Sequence, residues 1–494
     1  MKRTNSTMGN AIFLATSKVI TTLSGIITTK ILSNTLDLME YGTYSQALLL
    51  VSVSASLISC GLSDCVSFFY NRSDGDEHDK TRQNQLHTIF AIEVFLGLVV
   101  FGVLCIGQNQ IVEYFSNPQL GGLMVLIGLR PMLDNSIYLY QVLFASIGKS
   151  ELIAKRHLFL SIAKLAGVYF SAVILRDLRA VLLVLLVLDI IQIVAFAIIF
   201  GRVKFWILPW KLIPELAKEI LAYGLPMGLF SITNGLSRDF DKFVIGYFAG
   251  PEASAIYANC SRSLPIDILA VSIATILVPR IVYAVQNDRR AEAAAIFHNY
   301  VRVGYYSVWC FAAVILVFSD EVISFLYSDS YLLGKSVFIL YIVDNMVRFS
   351  SLHLVMTAAG QTKKLFMYSL ITLAANGVLD VLLYHLIGFT GPAFATVFTT
   401  GLYTIMVLKS TCSVLEVRLK SLVSWKEIMR LIIILIGGST GTCVVKKYFL
   451  SWRTHPYVAM ILGMILYLIY FLVVNRKQIR EIWEEINAVK IPNY

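Results

Sequence analysis

Along most of the chain, apolar residues follow one another without the alternation that a half-buried strand requires. Runs such as Val181–Val187 and Leu431–Ile436 are unbroken, whereas a membrane-barrel strand alternates over about ten residues. The pattern predicts helices that are apolar all round. About fourteen stretches reach the roughly 20 residues that cross about 30 Å of hydrocarbon. Their starts fall at about residues 10, 44, 86, 120, 157, 180, 216, 254, 299, 332, 366, 390, 428 and 455. Of the 494 residues, about 200 then remain for thirteen loops and two tails, roughly 13 each. No soluble catalytic or binding domain fits in that remainder. The expected fold is an all-α polytopic membrane protein.

Composition sharpens this reading. Hydrophobic residues make up 57% of the chain and charged residues 15%, against about 25% charged in soluble domains. A disordered chain, a disulfide-stapled secreted domain and a nucleic-acid-binding domain are excluded. The seven cysteines show no CxxC spacing, so neither a disulfide framework nor a metal site is expected, and no cofactor is called for.

The net charge of +10 in so apolar a chain is read through the positive-inside rule. Alternating the flanks places about 27 basic residues on one side and about 9 on the other. The basic side takes Lys2 and Arg3, Lys149, Lys155 and Arg156, Arg289 and Arg302, Lys363 and Lys364, and the tail from Arg476. Both termini are therefore expected in the cytoplasm. The polar residues Thr16, Ser17 and Lys18 interrupt the first apolar stretch, which reads as an uncleaved span. The tail, with Ile479, Ile482, Trp483 and Ile486 on one face, reads as a helix lying on the membrane surface or as a solvated end helix.

The chain resembles itself at long range. Ala145–Ser150 matches Ala358–Lys363, with Gly148 and Gly360 offset by 212 residues, and Tyr44 matches Tyr257 at 213. Six spans per copy keep both copies in one orientation, related by a two-fold axis along the membrane normal. The expected organisation is a six-helix lobe over residues 1–201, a second over 202–412, and two extra helices with a tail over 413–494.

Charges inside the spans are the chemical signal, since each costs roughly 2.5–3.5 kcal/mol at the bilayer centre. The basic ones are Lys18, Arg130, Lys164, Arg262 and Arg348; the acidic ones include Asp64, Glu93, Asp134, Asp189, Asp267, Asp344 and Asp380. Arg130 and Asp134 are four residues apart on one helix face, and Asp344 and Arg348 repeat that spacing in reverse order. Two readings stay open: mutually satisfied ion pairs, or guanidinium groups offered to an anion between the lobes. A planar guanidinium suits phosphate because it donates two parallel hydrogen bonds. The five basic residues are the candidate substrate ligands. Asp134, Asp344, Asp267, Asp64 and Glu93 are the candidates for coupling to H+ or Na+. No HExxH, P-loop or GxSxG motif is present, so no enzyme activity is expected.

Several motifs then carry a resemblance. The stretch Arg238–Gly250 running on to Tyr257, Glu40–Tyr44, Gly61–Asp64, Asn376–Asp380 and Gly391–Ala393 resemble the polysaccharide flippases. Those are the O-antigen and exopolysaccharide translocases of the multidrug/oligosaccharidyl-lipid/polysaccharide exporter superfamily. The resemblance implies a V-shaped, two-lobed transporter in a bacterial cytoplasmic membrane. It would carry an undecaprenyl-diphosphate-linked oligosaccharide to the outer leaflet by alternating access, within a lipid bilayer and in contact with a polysaccharide polymerase or glycosyltransferases. Acids outnumber bases among the span charges here, a departure from the cationic cavity the family implies. The alternatives are a cation-coupled multidrug exporter of the same fold, a lipid II flippase, and a membrane polysaccharide polymerase.

Overall fold

The computed structural model describes residues 20–72, 79–262, 264–348, 352–451 and 455–488. Every regular element among them is helical. Nine segments among the described residues are long and apolar enough to cross a membrane. One of them, Thr362–Leu415, is two helices joined by a turn at Gly388. The chain divides into two compact units: residues up to Ala258 together with Leu326–Ser328, and Asn259–Phe325 together with Asp329 onward.

In the first unit the helices are α1 (20–35), α2 (Leu38–Ser59), α3 (Leu62–Arg72), α4 (Asp79–Ile106), α5 (Gln108–Phe115), α6 (Met124–Ser146), α7 (Ser150–Tyr169), α8 (Leu178–Val203) and nearly all of α9 (Pro214–Cys260). The Glu40–Tyr44 motif opens α2. Asp37 accepts from the Glu40 backbone at 2.7 Å, and Glu40 reaches back to the Asp37 amide at 3.3 Å, a reciprocal cap that satisfies two otherwise orphaned donors. Two residues later Gly42 lies against the backbone of α9, where a Cβ would fall 2.0 Å from the carbonyl oxygen of Pro251. No side chain fits there, so α2 and α9 touch backbone to backbone. Farther along, the Arg238–Lys242 motif ties the same helices by polar contacts. The Ser52 hydroxyl donates to Asp239 at 2.9 Å, and Lys242 donates to Asp239 at 3.0 Å.

Helix α6 is the axis of this unit, packed on α2, α3, α4 and α8. Its core face is aromatic: Tyr140 lies 4.8 Å from Phe90, and Phe144 lies 5.1 Å from Phe196, between ring centroids. Four of the core residues there, Leu62, Val66, Leu143 and Phe200, are 1% exposed or less, which fixes how α6 is rotated and hence where its polar residues point.

The second unit comprises α10 (Ile268–Gln286), α11 (Arg290–Val317), α12 (Ser319–Leu326), α13 (Lys335–Arg348), α14 (Leu354–Ala358), α15 (Thr362–Ile387), α16 (Gly391–Leu415), α17 (Leu419–Leu422), α18 (Trp425–Ser451), α19 (Pro456–Val474) and α20 (Arg476–Ala488). Here α11 is central: 67% of its most apolar window is buried, against 17% for α15–α16. The rim helices keep apolar side chains exposed, as expected where lipid rather than protein covers them.

Five helix starts recur at a near-constant offset. Starts at 79, 108, 124, 150 and 178 are answered by starts at 290, 319, 335, 362 and 391, offsets of 211 to 213 residues. Its anchors share one geometry. Gly148 and Gly360 have φ of 71° and 70°, and each is followed by a residue whose amide reaches five back: Lys149 to the Phe144 carbonyl and Gln361 to that of Met356, both at 2.9 Å. A left-handed helix end of this kind favours glycine because it has no Cβ to clash.

One expected span is interrupted. The one expected from residue 254 stops at Cys260 and resumes at Ile268, so Arg262, Pro265 and Asp267 sit in a non-helical break. In the span expected from residue 332, the described part of α13 runs Lys335–Arg348 and carries both Asp344 and Arg348.

Candidate functional site: a charged cluster on α6, α7 and α8

Between Arg179 and Arg202, the only polar side chains of α8 are Asp189 and Gln192. Three residues apart, they share one face, and both are buried. A carboxylate so placed requires partners, and the neighbouring helices supply them. Arg130 on α6 brings Nε to 3.5 Å from Asp189 Oδ2 and 4.0 Å from Asp134 Oδ2. The other oxygen, Asp189 Oδ1, accepts from Gln192 Nε2 at 3.1 Å. On α7, Arg156 Nε donates to Gln192 Oε1 at 2.7 Å, and its guanidinium lies 5.5 Å from the Phe196 ring centroid. Lys164, two turns along α7, lies within electrostatic reach of both Asp134 and Asp189.

Three cations against two carboxylates leave the cluster one positive charge in excess. That excess is carried on groups with spare donors. Arg130 Nε and Nη1 are buried and, among the described residues, make ion pairs to Asp189 and Asp134 but no hydrogen bond. The cluster is open on one side, where the Asp134 side chain is 40% exposed. Tyr138, one turn further on, is 52% exposed. An ionised carboxylate is not stable facing hydrocarbon, so an ionised Asp134 requires water or a polar partner on this side. An anion reaching the cluster from this side would compete with Asp134 for the Arg130 guanidinium.

Of the ten candidate residues, the structure brings Arg130, Asp134 and Lys164 together. Lys18 lies outside the described residues. Glu93 on α4 is fully buried and accepts from the Ser136 hydroxyl at 2.7 Å. Asp64 is exposed in the first turn of α3, Arg262 is exposed and Asp267 half-buried in the break before α10. In the second unit Asp344 is 2% and Arg348 47% exposed, 3.9 Å apart. The two Arg–Asp pairs are not repeat equivalents: at the offset of these two helices Arg130 corresponds to Tyr341, and Asp344 to Leu133. Sequence reasoning missed the roles of Arg156, which was counted with the flanking charges, and of Gln192. The spacing of Asp189 and Gln192 in an otherwise apolar helix was the available signal.

The Asn376–Asp380 motif is a buried pair within α15, with Asn376 Nδ2 donating to Asp380 Oδ1 at 3.2 Å.

Solved structures of the MOP superfamily of transporters share this helical architecture. The solved structure "Lipid II flippase MurJ, inward closed conformation" aligns over 95% of this chain and 100% of its own, at 14% identity and a TM-score of 0.75. An inward-facing multidrug resistance MATE family transporter of the same superfamily aligns over 80% of this chain and 94% of its own, at 12% identity and a TM-score of 0.65. A superfamily transporter from Pyrococcus furiosus, described as having a binding pocket of reverse polarity, covers 82% of this chain and 94% of its own, at 12% identity and a TM-score of 0.56. At such identities these likenesses show the fold alone. The family described as "Polysaccharide biosynthesis protein" matches residues 31–334, and the chain belongs to it. No curated protein matches the sequence.

Proposed function

We propose that this protein flips an undecaprenyl-diphosphate-linked oligosaccharide from the cytoplasmic to the outer leaflet of a bacterial cytoplasmic membrane, for cell-surface polysaccharide synthesis. Family membership supports the polysaccharide part of this reading. The observation that carries the substrate assignment is Arg130, a buried guanidinium with donors that make no hydrogen bond among the described residues, in a cluster of net positive charge that opens on one side. A diphosphate satisfies those donors by charge-assisted hydrogen bonds. In its absence Asp134 occupies the neighbouring position. The sugar hydroxyls cannot cross about 30 Å of hydrocarbon unaided, which is what a polar face within the membrane relieves. The direct test is flipping of such a lipid in sealed vesicles.

The orientation follows from the charge bias and is tested by labelling. In a background lacking the seven native cysteines, cysteines at 149 and 363 react with an impermeant maleimide only from the cytoplasm. Cysteines at 109 and 329 react from outside. Asn117 is unsuitable for labelling, because it is fully buried and donates to Thr43 and Gln46. External reaction at 363 reverses the assignment.

A cation-coupled mechanism, and with it the multidrug alternative, draws support from the acids around Arg130. Protonation or cation binding at Asp134 would free Arg130 for its anion. Asp134→Asn is therefore expected to uncouple transport from the ion gradient, with Asp344→Asn as the second-unit counterpart. Transport and ion dependence unchanged in both variants would remove the coupling role.

A further inference from the structure

The C-terminal helix α20 follows the membrane-spanning helix α19 with Asn475 alone between them. Asn475 is fully buried, its side chain donating to the Phe471 carbonyl at 3.0 Å, and α20 begins where the span α19 ends. One face of α20 is held by protein. Arg302 of α11 donates to Glu427 of α18 at 3.0 and 2.8 Å, and to Glu485 of α20 at 3.0 Å. Glu481 lies 3.9 Å from the same guanidinium. Arg430 of α18 donates to Gln478 at 3.0 Å, and Ile482 is 6% exposed.

The opposite face is left bare. Arg476, Arg480 and Trp483, spaced by four and three residues, form one stripe. All three are exposed, Trp483 at 62%. The helix thus sorts its charges: two acids turn inward to Arg302, while Arg476 and Arg480 turn outward beside an indole. Glu484 is the acid on that side and pairs with Arg480 at 2.7 Å. Nearby on α18, Trp425 and Met429 are also exposed, at 53% and 56%. Trp is the residue type that anchors at the headgroup level, and clustered bases beside a membrane span attract anionic lipid.

We infer that the outer stripe of α20, Arg476, Arg480 and Trp483, is a docking surface for the anionic lipid headgroups of the leaflet at which α19 ends. The Arg302 node holds the helix in the plane where that contact is made. The inference rests on the chain spanning the membrane and not on the identity of the transported lipid.

The test is amide hydrogen exchange of the full-length protein in nanodiscs of phosphatidylcholine alone and of phosphatidylcholine with an equal part of phosphatidylglycerol. Amides of α20 should exchange about tenfold more slowly with the anionic lipid, while those of α19 do not change. Arg476→Glu/Arg480→Glu should abolish the difference between the two lipid compositions. Exchange in α20 that is the same in both compositions for the unmodified protein would overturn the inference, showing a helix held by protein alone. A full difference persisting in the double variant would also overturn it.

Discussion

Arg130→Ala is expected to lower glycan export at least tenfold per inserted molecule. The substitution removes the spare donors of the cluster together with its excess charge. A charge-assisted hydrogen bond contributes roughly 1.5–3 kcal/mol, and a factor of ten needs about 1.4 kcal/mol. Arg130→Lys should fall between the two, because the charge survives while the fork geometry is lost. A purely structural cation behaves differently. Without Arg130, Asp134 and Asp189 remain together with one cation fewer, so protein abundance falls along with export. Neutralising both acids in the same chain then restores abundance. Export per molecule decides between the readings. If Arg130→Ala/Asp134→Asn/Asp189→Asn exports normally, the anion-site assignment is wrong, since the ligand for the diphosphate is still missing.

Arg302→Ala is expected to destabilise the second unit by about 3–5 kcal/mol, the usual result of stranding one partner of a buried ion pair. The Arg302 side chain is 6% exposed and is bonded through three nitrogens to Glu427 and Glu485. Tyr305 adds a hydrogen bond to Glu427 at 2.6 Å. Removing the guanidinium leaves Glu427 facing Tyr305 alone and releases the acids of α20. Thermal unfolding in detergent should show the loss, and proteolysis should reach α20 before any other helix. An unchanged melting temperature would mean that the node is not a structural tie. Arg302→Lys should recover only part of the loss, because an ammonium cannot span Glu427 and Glu485 with a planar fork.

The helices themselves were largely legible in the sequence. Starts expected near 120, 180, 390 and 455 fall at 124, 178, 391 and 456. Larger differences occur where helices run past the apolar stretch: expected starts near 157 and 299 fall at 150 and 290. Hydropathy locates the hydrocarbon-crossing part, whereas the helix begins where its backbone is capped. The repeat was legible because a left-handed turn selects glycine at Gly148 and Gly360. The break after Cys260 was harder to read, with Pro265 as its one local mark.

Half of the charged cluster was also legible. The four-residue spacing of Arg130 and Asp134 puts them on one face, and so does the three-residue spacing of Asp189 and Gln192. Which face of α8 turns toward α6, however, is set by the packing of Tyr140, Phe144, Phe196 and Phe200. That rotation is a property of the assembled unit. For the same reason Arg156 and Arg302, counted as flanking charges, proved to be cores of polar networks. Their partners lie 36, 125 and 183 residues away in sequence, beyond the reach of any local pattern.

The most direct measurement of the central claim is flipping by the purified protein in sealed proteoliposomes. An undecaprenyl-diphosphate oligosaccharide is placed in both leaflets, and its exposure is read with an impermeant glycosidase. The account predicts that the protected fraction is digested in vesicles containing the protein, and that the Arg130→Ala protein digests it at least tenfold more slowly. Protection that persists in the presence of correctly inserted protein, together with gradient-driven movement of an amphipathic cation by the same vesicles, would contradict it.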